Sequence, residues 1–299
     1  MSTLLFKGKA HTFVRIHLKL VHIGGYMKTG KLFQYEGLSS SGKTTIAKRI
    51  NAKMIEMGLP AVFSSEPTRI TPFGLGIREV IERRMPSSEL LDNISDQTKV
   101  LFSFIDKTLL NSESSQVQTW LGRFRGMVES IPQHIKEGKE LTEEEKQYMY
   151  ICDRFFNFKD YLIPGIERGE IRNNDRGDIS SLSIGAVNGL GLAWNAAMHR
   201  LVLGEFYRKP DATIVFDVPP DVCFQRSIQL KKVLDCYESA EMQKKIHESL
   251  KKTLEYLRQR EIDFPGTGHK NIIVIDATPP PDVVDEMIFQ KLRETGVLP

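Results

Sequence analysis

The sequence predicts an α/β fold, a five-stranded parallel sheet with helices on both faces. Three features point to it. Short apolar runs alternate with longer segments of helical period along most of the chain. A loop of glycine and serine, Gly37–Lys43, joins the first such run to the first helical segment. The run Thr213–Val218 is rich in β-branched residues, as suits a buried strand.

Taken in order, Lys31–Glu36 is the first strand. Residues 44–57 form a helix with Ile46, Ala47, Ile50, Met54 and Ile55 at helical spacing and Gly58 as its stop. Ala61–Ser64 is the second strand and Leu75–Arg84 another helix. Residues 87–145 are polar, helical in parts, and end in the charged run Glu137–Lys146; they read as an insertion or small helical subdomain. Helix resumes over Gln147–Ile163, and Glu170–Asn174 is a short, unusually polar strand. Then come a helix over Asn195–Phe206, the strand at Thr213, a long charged helix over Glu241–Arg260, a last strand over Asn271–Asp276 and a closing helix over Asp282–Thr295. No internal repeat is evident.

The chain has 299 residues, 40% hydrophobic and 26% charged, ordinary proportions for a globular protein with a sizeable core. A net charge of +3 gives no reason to expect a nucleic-acid or membrane partner. No apolar stretch approaches the roughly 18 residues of a membrane-spanning helix. The three cysteines, Cys152, Cys223 and Cys236, lack metal-ligand spacing, which fits a reducing cytoplasm. Residues 1–26 carry four Lys/Arg, three His and no acid. They read as a dispensable extension, an added edge strand, or the product of a start placed before Met27.

Gly37-Leu38-Ser39-Ser40-Ser41-Gly42-Lys43-Thr44 is a complete GxxxxGKS/T match. Its glycines let the backbone wrap a phosphate with N–H groups inward, and the helix beginning there presents its positive end. Lys43 reaches the β- and γ-phosphates of a nucleotide, and the Thr44 hydroxyl ligates Mg2+. With a strand before it and a helix after it, the loop implies a three-layer P-loop NTPase fold that binds ATP. Gly37, Ser39, Ser40, Ser41, Gly42, Lys43, Thr44 and Thr45 are the expected contacts.

Further segments resemble the thymidylate kinase family over most of residues 31–295. Ser65-Glu66-Pro67-Thr68-Arg69-Ile70-Thr71-Pro72-Phe73-Gly74 is similar to the family loop in which an arginine, here Arg69, holds the phosphate of the acceptor. Gln147–Arg154 resembles the helix that reads the base; Tyr150 and Arg154, four residues apart, share one helix face. Leu101–Lys107 is a rival for that helix, less well spaced from the segment that follows. Asp175-Arg176, followed by Ser180-Ser181, resembles the family's Asp-Arg pair, which implies that Asp175 organises Mg2+ and Arg176 contacts the acceptor phosphate. Lys209–Pro220 resembles the fourth strand and its exit, leading to a lid over about 226–240. The resemblance places Arg226 near adenine and phosphates, Lys231 and Lys232 as lid cations, and Ala277, in Ile275-Asp276-Ala277-Thr278, beside the adenine.

The chain departs from the family at several points. Ser39 and Ser40 stand where the loop often carries an acid and an arginine. Gly177 replaces the aromatic after the Asp-Arg pair, Ile184 and Gly185 a Tyr-Gln pair, and Cys236 a lid arginine. The leading expectation is a nucleoside-monophosphate kinase that converts dTMP and ATP to dTDP and ADP with Mg2+, with Lys43, Asp175, Arg176 and Arg226 in the transfer. The resemblance also implies a homodimer. Two other readings stay open: a kinase of the same fold with another acceptor, and a non-catalytic ATP-binding module.

Overall fold

The computed structural model describes residues 30–109, 115–231, 234–263 and 268–298. The extension at 1–26 lies outside them. Five parallel strands, β1 (Lys31–Gly37), β2 (Ala61–Ser65), β3 (Ile171–Asp175), β4 (Ala212–Asp217) and β5 (Ile272–Asp276), form one sheet in the order β2-β3-β1-β4-β5. The expected strands are all present to within a residue or two.

The helices are α1 (Lys43–Glu56), α2 (Pro72–Ile81), α3 (Ser88–Leu109), α4 (Ser115–Lys136), α5 (Glu143–Asn157), α6 (Ile163–Glu167), α7 (Asp178–Val187), α8 (Leu192–Leu203), α9 (Pro220–Gln229), α10 (Ala240–Asp263) and α11 (Pro281–Glu294). The helix expected from 147 starts four residues earlier and passes through a π-turn at Phe158–Leu162 before α6. The pattern of the sequence does not announce α7, a Ser- and Gly-containing segment with little amphipathic bias.

Alternation along β1 divides the layers. Phe33 and Tyr35 face α1 and α11, in a core with Ile46, Ile50, Met54 and Ile288. Leu32 belongs to the opposite core, built from α2 to α6 and α8. A smaller cluster joins α7 and α10 through Ile179, Leu182, Leu250 and Leu254. The segment 87–145 is part of this packing, since Leu91, Ile94, Phe124 and Val128 of α3 and α4 share one core with Phe73 of α2 and Tyr148 of α5. Buried Asp285 of α11 meets Arg49 and Lys53 of α1, each at 2.9 Å, and ties those two helices together.

The polar sequence of β3 has a structural cause. Asn173 accepts from the Tyr35 hydroxyl at 2.7 Å and donates to Asn51 at 3.0 Å. Asn174 accepts from Ser64 at 2.6 Å and donates to the Arg176 carbonyl at 2.8 Å. A central strand with buried amides is stable when each finds partners.

From β1 the chain crosses toward β2, and from β3 it crosses back to β4, on the far side of β1. With right-handed crossovers these two connections lie on opposite faces, which opens a crevice beyond the carboxyl ends of β1 and β3. The register sets Tyr35 of β1 opposite Asp175 of β3, so the loop after β1 and the residues after Asp175 share that crevice.

Helix α5 lines it too, and begins with a capping box. Thr142 Oγ1 accepts from the Glu145 amide, and Glu145 Oε2 accepts from the Thr142 amide at 2.8 Å. Thr142→Ala is expected to cost about 1 kcal/mol of stability. Chemical denaturation that shows no loss in Thr142→Ala would remove the cap from the account of α5.

Candidate active site

The loop Gly37–Gly42 needs its glycines for two different reasons. Gly37 has φ 145°, and a Cβ there would stand 2.9 Å from the Phe216 carbonyl oxygen. Gly42 has φ 92° and caps α1, where a side chain would meet open space but the backbone would be strained. Lys43 is 4% exposed and its Nζ donates to the Leu38 carbonyl at 2.9 Å, so the ammonium is folded over the loop. The Thr44 hydroxyl donates to Asp175 Oδ2, while the other oxygen of Asp175, Oδ1, is buried with no protein hydrogen bond. One hydroxyl and one carboxylate with a spare oxygen make a hard-oxygen donor set suited to a divalent cation such as Mg2+.

Arg176 follows Asp175 with φ 72°, and its amide is held by the Tyr35 carbonyl at 2.9 Å. Its Nη1 donates to Ser180 Oγ at 3.0 Å and lies 3.4 Å from the Gly37 carbonyl oxygen. Ser180 in turn donates to Glu36. Burial pushes the Glu36 carboxyl up to about 7, with Ser180 and Arg176 opposing that rise. This chain of contacts aims Arg176 at the loop. Gly177 is also accounted for: a Cβ there would fall 1.8 Å from Gln34 Nε2, so the Gln34 amide fills the space a side chain would take.

Arg226 of α9 closes the opposite edge. It donates to the Ser41 carbonyl at 3.3 Å and lies 3.5 Å from the Ala277 carbonyl oxygen, which ties the loop to the segment after β5. Ser227 donates to Ser40 Oγ at 2.7 Å. The segment after α9 folds back over the loop, and Ser39 donates to Glu238 Oε1. A carboxylate therefore stands beside the loop although the loop itself has none. Lys231 is exposed just beyond α9 and does not line the crevice, unlike the expected lid cation; Lys232 lies outside the described residues.

The crevice is a cavity of about 1040 Å³ whose lining includes Gly37 to Ile46, Arg69, Tyr150, Arg154, Asp175 and Arg176. Arg69 is exposed in the loop after β2. Arg154 is not the solvated arginine that a helix-surface position suggests, since it is 3% exposed and paired with Glu66 Oε2. Burial alone would lower its pKa; the Glu66 charge overcomes this and holds it charged. Burial keeps the Tyr150 phenol protonated, and nearby Asp235 and Glu143 add to that effect. The rival segment 101–107 is excluded as a wall of this site, because Leu101, Phe102 and Ile105 point into the core.

Sequence alone does not single out Arg78, Glu66, Glu238 or His199. Arg78 lines the cavity and donates to the carbonyls of Pro67 and Thr68, which braces the Arg69 loop. Its one signal is its place four residues after Gly74, on the helix turn that faces that loop. Glu66 and His199 act through partners 88 and 45 residues away in the chain, and no local pattern marks them.

A phosphate cradle at the switch point of a parallel sheet, with cations ranged along the adjoining cavity, places this chain among the P-loop phosphotransferases. The comparison with known proteins narrows that class. The family model for thymidylate kinase matches residues 122–288, and the chain belongs to that family. A probable thymidylate kinase of Pyrococcus abyssi is 24% identical over 227 residues, 76% of this chain and 84% of the relative. One of Thermococcus kodakarensis is 23% identical over 248 residues, 81% and 95% of the two chains. One of Methanosarcina mazei is 24% identical over 269 residues, 89% and 96%. Among the described residues no helix is long and apolar enough to cross a membrane.

Proposed function

We propose that the chain transfers the γ-phosphoryl group of ATP to dTMP, giving dTDP and ADP. The observation that carries this reading is that the phosphate loop, Tyr150 and Arg154 of α5, and Asp175 and Arg176 all line one cavity. A donor held by the loop and an acceptor held by α5 would present their phosphates to each other there.

In this reading the loop amides and Lys43 hold the β- and γ-phosphates, and Arg226 lies along the nucleotide with Ala277 near the adenine. Thr44 and Asp175 would hold Mg2+, which offsets negative charge on the phosphates. Arg69 grips the acceptor phosphate, Tyr150 covers the base and Arg154 meets its edge. An acceptor phosphate oxygen attacks the γ-phosphorus, and the bond to the β-phosphate oxygen breaks with its electron pair leaving on ADP. Arg176 stabilises charge on the group in transit. No covalent enzyme intermediate is required, since positioning and charge neutralisation supply the acceleration. The helices over 87–145 are an addition beside the acceptor half, 226–240 is the lid, and the working form is a cytoplasmic homodimer.

ADP release from Mg-ATP, measured with each nucleoside monophosphate in turn, tests the assignment. Turnover with dTMP is expected to exceed that with the others. Faster turnover with another monophosphate keeps the kinase and discards dTMP. Absence of acceptor-dependent turnover, with ATP still bound, leaves a binding module and overturns the reading.

A further inference from the structure

One buried carboxylate fastens the loop that carries Arg69 to α5. Asp153, on α5, is 1% exposed, and Thr68 and Thr71 are each 3% exposed. Asp153 Oδ2 accepts from the Thr68 amide at 2.8 Å. Its Oδ1 accepts from the Thr68 hydroxyl at 2.6 Å and from the Thr71 hydroxyl. The two hydroxyl oxygens, 3.1 Å apart, converge on that oxygen. Each also accepts: Thr68 Oγ1 from the Thr71 amide at 3.2 Å, and Thr71 Oγ1 from the Gly74 amide at 2.8 Å. A hydroxyl has one proton to give, and both threonines give theirs to Asp153.

Gly74 of α2 closes the cluster. A Cβ there would fall 2.5 Å from the Thr68 carbonyl oxygen and 2.6 Å from Asp153 Oδ1. Burial, and then the Glu66 charge, push the Asp153 carboxyl up to about 6, opposed by the bonds from Thr68 and Thr71. It is therefore an ionised acceptor near neutral pH. Between the two anchored threonines stand the exposed residues Arg69 and Ile70. Two residues between fixed ends have little conformational freedom, so α5 sets the point from which the Arg69 side chain leaves the loop. The next residue of α5 is Arg154, which lines the same cavity as Arg69.

We propose that Asp153 is a positioning residue for the acceptor phosphate. By tying Thr68 and Thr71 to α5, it holds Arg69 at a set distance from Arg154, so that one monophosphate meets both. The inference rests on the assignment of Arg69 to the acceptor phosphate, and the experiment keeps the two claims apart. Steady-state kinetics are measured for Asp153→Asn, Arg69→Ala and the double variant, with the best acceptor from the monophosphate screen as the varied substrate. The nucleoside of that acceptor, which lacks the phosphate, serves as competitive inhibitor.

Asparagine keeps the shape of aspartate but has one acceptor oxygen in place of two, so the Thr68 amide or the two hydroxyls lose their partner. Loss of a hydrogen bond to a charged group is expected to raise the acceptor KM of Asp153→Asn roughly tenfold or more. Its KM for ATP and the Ki of the nucleoside should stay within about twofold. Arg69→Ala should raise the acceptor KM at least as far, and the double variant no further, because the two residues act through one contact. Losses that multiply in the double variant overturn the proposal, as does an unchanged acceptor KM in Asp153→Asn. A nucleoside Ki that rises in step with the acceptor KM would mean that Asp153 acts on Arg154 or on packing, and overturns it too. An unchanged acceptor KM in Arg69→Ala removes Arg69 from the acceptor site and the inference with it. If Asp153→Asn does not fold, Thr68→Val carries the same cycle with the same outcomes, since it takes one hydroxyl from the carboxylate and the acceptor from the Thr71 amide.

Discussion

Replacing Lys43 with alanine is expected to lower kcat by about 10² to 10³, the range found when one preorganised group that stabilises transition-state charge is removed. The ammonium is buried, already bound to the Leu38 carbonyl at 2.9 Å, and needs little reorganisation to meet a phosphate. The loop backbone is unaffected by the substitution, because its turn depends on Gly37 and Gly42 and on the bond from the Ser41 amide to Leu38. ATP affinity should therefore fall much less than turnover. Lys43→Arg is not a rescue: a planar fork is bulkier than a compact ammonium and does not reproduce its point contact with the Leu38 carbonyl. Single-turnover phosphoryl transfer measures the effect directly. A variant retaining more than a tenth of the wild-type rate would show that Arg176 and Arg226 carry the charge without Lys43.

The second large effect is on stability. Glu66→Ala is expected to destabilise the fold by about 3 to 5 kcal/mol, the usual consequence of removing one partner of a buried ion pair. Arg154 would keep its hydrogen bond to Ser181 and its contact with the His199 ring but lose the carboxylate that touches it. Asn157 and Asn174 would also lose their shared acceptor. Against a typical total of roughly 5 to 15 kcal/mol, that loss moves a denaturation midpoint far. The Glu66→Ala and Arg154→Met double variant should recover part of the loss, because it removes the stranded charge. Equilibrium unfolding in urea distinguishes the outcomes, and a Glu66→Ala loss under 1 kcal/mol would contradict the pairing.

The two effects differ in how visible their origins are. Lys43 stands in a contiguous motif whose backbone demands are local: glycine where φ is positive, a helix N-terminus immediately after, a strand immediately before. The family resemblance pointed to Tyr150 and Arg154, a spacing of four puts them on one helix face, and both line the cavity. The resemblance also pointed to Asp175-Arg176, after a polar strand, and both residues line the cavity. The helix α7 was not visible, because its residues have little amphipathic bias and no side chain caps its start; Asp178 in its first turn meets His269 at 3.1 Å, 91 residues downstream.

What the sequence by itself determined is therefore the set of local devices: five strands, their crossover helices other than α7, the phosphate loop and the residue pairs one helical turn apart. These follow from backbone conformation and side-chain period, which act over a few residues. Tertiary structure alone decided which residues support them. The strand order brings Glu66 to Arg154 and Asp175 to Thr44, and it turns the segment after α9 back so that Glu238 meets Ser39. A buried charge is stabilised by whatever folding places beside it, and that neighbour carries no mark in the adjacent sequence.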